Sequence, residues 1–114
     1  MQEIHDTSVF QKTYDLYKLL HEAVKKYPKG DRYSLGEKTL GRILDIIEAI
    51  TKAGHAKRDW KVPLIEQAIV SLEITKLLVR IGQDTACLNQ KQYVEIQERI
   101  QEIGRMLGGW KRSI

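Results

Sequence analysis

The sequence predicts an all-α protein: an up-down-up-down four-helix bundle in a single domain spanning residues 1–114. Apolar residues recur every three or four positions in four separate segments, and no segment shows sustained period-two alternation. The segments are similar in length and joined by short links, which favours antiparallel neighbours. With 114 residues, 42% hydrophobic and 30% charged, the chain has the size and composition of one globular domain. The predicted helices cover about residues 8–27, 35–53, 60–81 and 90–107.

The first predicted helix is bounded by a capping signal and a proline. Ser8 and Gln11 have the spacing of a capping box, and Pro28 disfavours helical geometry at the residue before it. The predicted buried stripe consists of the apolar residues at helical spacing, Phe10, Tyr14, Tyr17, Leu20 and Val24. Aromatic residues at this spacing are usually core, so we expect Tyr14 and Tyr17 to be buried rather than to form a stacking platform for bases.

The second predicted helix follows a short basic turn. Ser34 and Glu37 again have capping-box spacing, and Gly54 is a natural stop after the last turn. The predicted stripe of this helix is Leu40, Ile43, Leu44, Ile47 and Ile50.

The third and fourth predicted helices have comparable signals. Asp59 is the expected N-cap of the third, and Pro63 falls in its first turn, where a missing N–H costs little. Asn89 and Gln92 resemble a cap pair for the fourth. The stripe of the third helix is Leu64, Ile65, Ala68, Ile69, Leu72, Thr75, Leu78 and Val79. The stripe of the fourth is Tyr93, Ile96, Ile100, Ile103 and Leu107, and it ends at Gly108-Gly109.

The apolar faces of the two middle helices are wider than a bundle requires, since a stripe of about 100° suffices. The surplus residues are Leu35, Ile46 and Ala49 on the second helix and Ile74, Leu77 and Ile81 on the third. We expect a second buried surface, formed by self-association. The alternative is that these residues are scattered and exposed, which is normal for folded proteins.

Several functional classes lack support in the sequence. Cys87 is the only cysteine, so no internal disulfide can form, and a reducing, cytoplasmic setting is expected. Residues 1–7 carry two acids and no apolar run, which does not fit a signal peptide, and no apolar run approaches a membrane span. No Glu-x-x-His, His-Glu-x-x-His, Gly-x-Ser-x-Gly or phosphate-binding glycine loop occurs. We therefore expect no catalytic residues, no metal and no cofactor, and hence not an enzyme.

Basic residues concentrate at the two ends of the predicted bundle, and the net charge is +4. We name the end where the first and second helices, and the third and fourth, are joined the turn pole. Its expected basic residues are Lys25, Lys26, Lys29, Arg32, Lys38, Lys76, Arg80 and Lys91. Those expected at the opposite end are Lys52, Lys57, Arg58, Lys61, Arg105, Lys111 and Arg112. Such clusters without catalytic groups suggest phosphate-backbone binding. A merely solvated charged surface is the alternative.

Two distant segments resemble one protein family. The stretch from Tyr27 to Lys38, YPKGDRYSLGEK, and the stretch from Ile103 to Trp110, IGRMLGGW, are similar to segments of the small four-helix-bundle proteins that include the accessory variability determinant (Avd) of diversity-generating retroelements. The resemblance covers nearly the whole chain.

This resemblance implies a ring-like homopentamer that binds nucleic acid, RNA or DNA, and a retroelement reverse transcriptase in support of mutagenic copying. It carries over no catalytic residues. A sister branch, encoded in intervening sequences of large-subunit ribosomal RNA genes, is the alternative, as is a purely structural interaction module. From the bundle geometry, the candidate nucleic-acid-binding residues are Arg32, Lys38, Arg42, Arg58, Lys76 and Arg80.

Overall fold

Four long helices form the protein in a computed structural model that describes the backbone of residues 4–114 and the side chains of residues 8–114. The helices are α1, Ile4–Val24; α2, Glu37–His55; α3, Arg58–Asp84; and α4, Gln90–Arg112. Both α1 and α3 pack against α2 and α4, in a rod of 43 × 23 × 20 Å. This confirms the predicted all-helical bundle, and residues 4–114 contain no strand. The expectation of no signal peptide rests on residues 1–7, whose side chains lie outside the described part.

The link from α1 to α2 is more helical than predicted. Two short segments run into α2 without a break: the α-helical turn Lys29–Asp31 and the π-helical segment Arg32–Gly36. Pro28 precedes this turn, and its carbonyl accepts the Arg32 N–H at 2.9 Å. The predicted capping box of Ser34 and Glu37 is wrong, because the Ser34 hydroxyl donates backward to the Gly30 carbonyl at 2.8 Å. The helix that Ser34 was expected to begin has already started.

Other helix ends also differ from the predicted ones. Ser8 lies inside α1 rather than capping it, and α1 ends at Val24. The N-cap of α3 is Lys57, so Asp59 lies in the first turn and Pro63 lies deeper in the helix. The Asn89 cap is confirmed as a full capping box: the Asn89 carboxamide accepts the Gln92 N–H at 2.8 Å, and the Gln92 side chain accepts the Asn89 N–H at 2.9 Å.

The last helix continues beyond the two glycines that were expected to end it. Gly108 and Gly109 lie inside α4, and no described glycine has a positive φ, so no left-handed stop forms. The extra turn carries Trp110, which is fully buried in the core. Burial of so large a side chain offsets the low helix propensity of the glycines.

The core face of α1 is rotated relative to the predicted stripe. Phe10 and Tyr14 are 38% and 45% exposed, so the expectation that Tyr14 belongs to the core is wrong. The buried residues are Val9, Thr13, Leu16, Leu20, Ala23 and Val24. Thr13 was not part of the predicted stripe because it is polar. In the core, its hydroxyl donates to the Val9 carbonyl at 2.8 Å, so its hydrogen-bonding requirement is met.

The surplus apolar residues are buried on α2 but largely exposed on α3. On α2, Ile46 and Ala49 are buried in the bundle's own core, whereas Leu44 is 49% exposed. On α3, an apolar stripe remains, which we name the α3 stripe: the exposed Val70, Leu77 and Ile81, with the half-buried Ile74 between them. The α3 stripe lies on the side opposite the buried residues of α3, so the described chain leaves most of it exposed.

Candidate nucleic-acid interface

The turn pole is held together by a buried tyrosine. Tyr27 is 1% exposed and its hydroxyl lies 3.1 Å from the position that a Cβ on Gly82 would take, with Leu88 packed beside the same glycine. Burial, and to a lesser degree the nearby Cys87 thiolate, raises the pKa of Tyr27 to about 12. Its hydroxyl has no hydrogen-bond partner among the described residues. Tyr27 thus joins the α1–α2 link to the end of α3.

The approach of the α1–α2 link to α1 requires a glycine. A Cβ on Gly36 would lie 2.5 Å from Cγ1 of Val24, closer than two carbon atoms pack. Because Gly36 has no Cβ, the π-helical segment and the cations it carries can pack closely against the end of α1.

The turn pole presents cations of two kinds. Lys25 binds Glu22 at 3.1 Å and lowers the pKa of that carboxylate, first through the hydrogen bond and then through its charge. Arg80 approaches Asp84 at 3.9 Å. Within the described side chains, a second group has neither an ion pair nor a hydrogen bond: Lys26, Lys29, Lys38, Lys76 and Lys91. These five lysines carry unpaired positive charge at the turn pole.

Arg32 makes contacts within the α1–α2 link in addition to carrying positive charge. Its side chain is half-buried, one terminal nitrogen lies 3.5 Å from the Tyr27 carbonyl, and Nε is buried without a partner. The guanidinium carbon lies 5.9 Å from the Tyr33 ring centroid. Arg32 therefore stabilises the α1–α2 link as well as adding positive charge.

The structure brings together only part of the predicted site. Arg32, Lys38, Arg42, Lys76 and Arg80 lie in the half of the bundle that ends at the turn pole. Arg42 is paired with Asp45 at 3.6 Å. Arg58 lies at the opposite end, where it donates to the Ile114 carbonyl at 3.4 Å. At about 1.5 Å per residue along α3, it is roughly 33 Å from Arg80.

Arg105 was expected at the end opposite the turn pole and was not among the candidate nucleic-acid-binding residues. It lines a groove of about 320 Å³ between α3 and α4 together with Lys76 and Glu73. The groove also contains Leu72 and Gly104, and a Cβ on Gly104 would lie 3.6 Å from Cδ2 of Leu72. Neither Lys76 nor Arg105 has an ion pair among the described side chains. Their pairing depends on the lateral alignment of two helices, which position along the chain does not reveal.

The exposed rings of α1 form a second feature that the sequence pattern missed. The centroids of Phe10 and Tyr14 are 6.2 Å apart with a 22° angle between the rings. The Lys18 ammonium lies 5.1 Å from the Tyr14 centroid. Tyr17 and His21 pair in the same way, at 6.0 Å and 27°. The alternative stripe of Val9, Leu16 and Leu20 would have predicted this exposure.

Features of other site classes are not found in the described residues. They contain no group of histidine, cysteine, aspartate and glutamate side chains able to hold a metal ion. None of the helices in this part of the chain is long and apolar enough to cross a membrane.

Comparisons with known proteins give a family match and a fold match. Residues 8–114 match the model of the bAvd-like family. The fold is similar to a crystal structure of a protein with unknown function from the S23 ribosomal protein family of Bacteroides thetaiotaomicron, with a TM-score of 0.86, 17% identity, and coverage of 96% of this chain and 99% of that one. At this identity the likeness shows the fold alone. The comparison with curated proteins gives no match.

Proposed function

The chain belongs to the bAvd-like family, and on this premise we propose that it is a non-enzymatic accessory protein of a diversity-generating retroelement. It binds nucleic acid and the retroelement reverse transcriptase in the cytoplasm, and it supports mutagenic copying of a template RNA without polymerising nucleotides itself. The family match over residues 8–114 is the observation that carries the proposal.

The charge distribution supports the nucleic-acid part of the proposal. Lysines without carboxylate partners can exchange their counterions for phosphates, and a net charge of +4 favours polyanions. Lys76 and Arg105 both line the α3–α4 groove, so two cations border one surface along which a phosphate backbone can lie. Contacts of this kind fix position on the strand and carry no sequence preference.

Fluorescence anisotropy with a labelled RNA, measured over a range of salt concentrations, tests this part. The wild-type protein is expected to lose affinity steeply as salt rises. Lys76→Ala combined with Arg105→Ala removes two phosphate contacts and should flatten the slope of log K against log salt by roughly 1.4, at about 0.7 per contact on a single strand. The control is Lys52→Ala, because Lys52 is already paired with Glu48 at 3.2 Å. Absence of RNA binding at low salt would refute the nucleic-acid role.

The same proposal includes a ring-like homo-oligomer, a pentamer. The α3 stripe supports self-association, since Val70 and Leu77 are 58% and 57% exposed on one helix face. A second copy would remove this apolar surface from water. Light scattering at tens of micromolar tests it: Leu77→Glu is expected to dissociate the assembly, whereas Val94→Glu, at a residue 42% exposed on α4, should leave it intact. A monomeric wild-type protein contradicts the assembly.

The reverse transcriptase is the proposed protein partner. Co-purification of the tagged chain with the reverse transcriptase of the same element tests this interaction, and failure to recover the enzyme with an intact, RNA-binding chain would remove it from the proposal.

A second candidate is favoured by the similar structure from the S23 ribosomal protein family. In this alternative the chain is encoded in an intervening sequence of a large-subunit ribosomal RNA gene and has a nucleic-acid-binding or structural role. The genomic neighbourhood distinguishes the two. An adjacent reverse-transcriptase gene with paired repeats selects the retroelement function, and a flanking ribosomal RNA gene selects the alternative.

A further inference from the structure

One face of α1, which continues into Lys25 of the turn pole, carries rings and cations together. A helix turns about 100° per residue, so positions 10, 14, 17, 18 and 21 fall within about 100° of arc on one side of α1, and Lys25 follows directly after the last residue of the helix. We name this face the α1 track; its residues are Phe10, Tyr14, Tyr17, Lys18, His21 and Lys25. It runs for about 22 Å and ends at the turn pole.

The rings of the α1 track are stacked in pairs; Phe10, Tyr14 and His21 are exposed, whereas Tyr17 is half-buried against the core. Phe10 and Tyr14 are nearly parallel, as are Tyr17 and His21. The core of α1 is complete without Phe10 and Tyr14, because Val9, Leu16 and Leu20 are each fully buried. These two rings therefore expose apolar surface that the bundle does not use.

A cation already occupies the place that a base would take. The Lys18 ammonium lies 5.1 Å from the Tyr14 centroid, and its side chain is exposed. An ammonium held over a ring by a flexible stem can swing outward to a phosphate and leave the ring face to a base. Lys25, at the end of the track, is tied only to Glu22, a surface ion pair of low stability.

We propose that the α1 track binds single-stranded nucleic acid, with bases stacked on Tyr14 and its neighbouring rings and with Lys18 and Lys25 on the phosphates. This inference rests on the proposed nucleic-acid role and names the form that is bound. Bases in a duplex already stack on one another and present only their edges, whereas bases of a single strand can lie flat on aromatic rings. The track therefore discriminates strand form and tolerates any sequence.

The test compares three probes by fluorescence anisotropy at one salt concentration: an oligodeoxythymidylate long enough to span the track, an abasic strand of the same length, and a duplex of the same length. The wild-type protein is expected to bind the oligodeoxythymidylate most tightly. Tyr14→Leu keeps an apolar, helix-compatible residue but removes the ring, and it should weaken oligodeoxythymidylate binding by about fivefold or more. Binding of the abasic strand should not change.

The matched control is Trp60→Leu, which removes a more exposed ring, 66% accessible, at the opposite end of the bundle. It is expected to leave all three affinities unchanged. Equal wild-type affinity for the abasic and base-containing strands overturns the inference, as does unchanged oligodeoxythymidylate binding by Tyr14→Leu. A shift of Tyr14→Leu to a smaller assembly in sedimentation also overturns it, because the rings would then contact another copy. Failure of the wider nucleic-acid role is distinct: no probe of any form binds at low salt.

Discussion

Replacing Tyr27 by phenylalanine should make the protein more stable. The Tyr27 hydroxyl is buried and has no hydrogen-bond partner among the described residues, and an unpaired buried hydroxyl costs about 1–3 kcal/mol. Removing one oxygen leaves a void of roughly 15 Å³ or less, which costs under about 0.5 kcal/mol at about 24 cal/mol per Å³. The net gain in the free energy of unfolding is therefore about 1 kcal/mol, equivalent to about 4 °C in Tm.

The same substitution changes the response to alkaline pH. The pKa of Tyr27 rises from 10.0 to about 12 on folding, so the folded state favours the neutral ring. Its contribution to stability is complete below pH 10. Between pH 10 and 12 the unfolded chain releases a proton that the folded chain keeps, and stability falls by up to about 1.4 kcal/mol per pH unit. Tyr27→Phe lacks this component, so its advantage over the wild type should grow above pH 10.

Urea unfolding followed by circular dichroism at neutral pH and at pH values from 10 to 12 measures both effects. Tyr33→Phe is the control, since Tyr33 is 60% exposed and its hydroxyl is free to bind water. If Tyr27→Phe lowers the free energy of unfolding by 1 kcal/mol or more, the hydroxyl has a partner and the reasoning fails.

Two further pairs of substitutions, each a test and its control, examine the helix connections. Gly36→Ala should destabilise the protein by about 1–3 kcal/mol, because its Cβ would lie 2.5 Å from Cγ1 of Val24; Gly41→Ala, where no atom lies within 4 Å, should be neutral or stabilise by up to about 1 kcal/mol. Thermal unfolding checks both, and equal effects would contradict the packing argument. Asn89→Ala should cost about 1 kcal/mol by removing the α4 cap, whereas Ser34→Ala should stay within about 0.5 kcal/mol. Urea midpoints that rank these two in the opposite order would show that Ser34 has a capping role.

Apolar periodicity predicted the helices and their order, because each helix buries one face against its neighbours. The Asn89 cap was readable because both halves of a capping box lie within four residues. The Ser34 cap was not, since the same spacing occurs inside a helix and nothing local showed that Pro28 begins a helical turn. Local spacing thus identifies a cap only where the preceding residue is known to be non-helical.

The site was harder to predict than the fold. Lys38 and Lys76 were found from their position near the turn pole, because antiparallel topology alone brings them there. The relation of Lys76 to Arg105 depends on how α3 and α4 align, and the exposure of Tyr14 depends on Thr13 being tolerated in the core. Both are tertiary effects that override a pattern read along one helix.

The π-helical segment Arg32–Gly36 marks a point at which the chain can lose one residue and keep the same fold. A π turn contains about one residue more than the α turn it replaces, so deleting a single residue there restores ordinary helical winding. The direction of α2, the registration of its buried side chains and the facing of the residues upstream all stay the same. A chain with one residue fewer in this stretch can therefore share the architecture and keep its flanking side chains on the same faces.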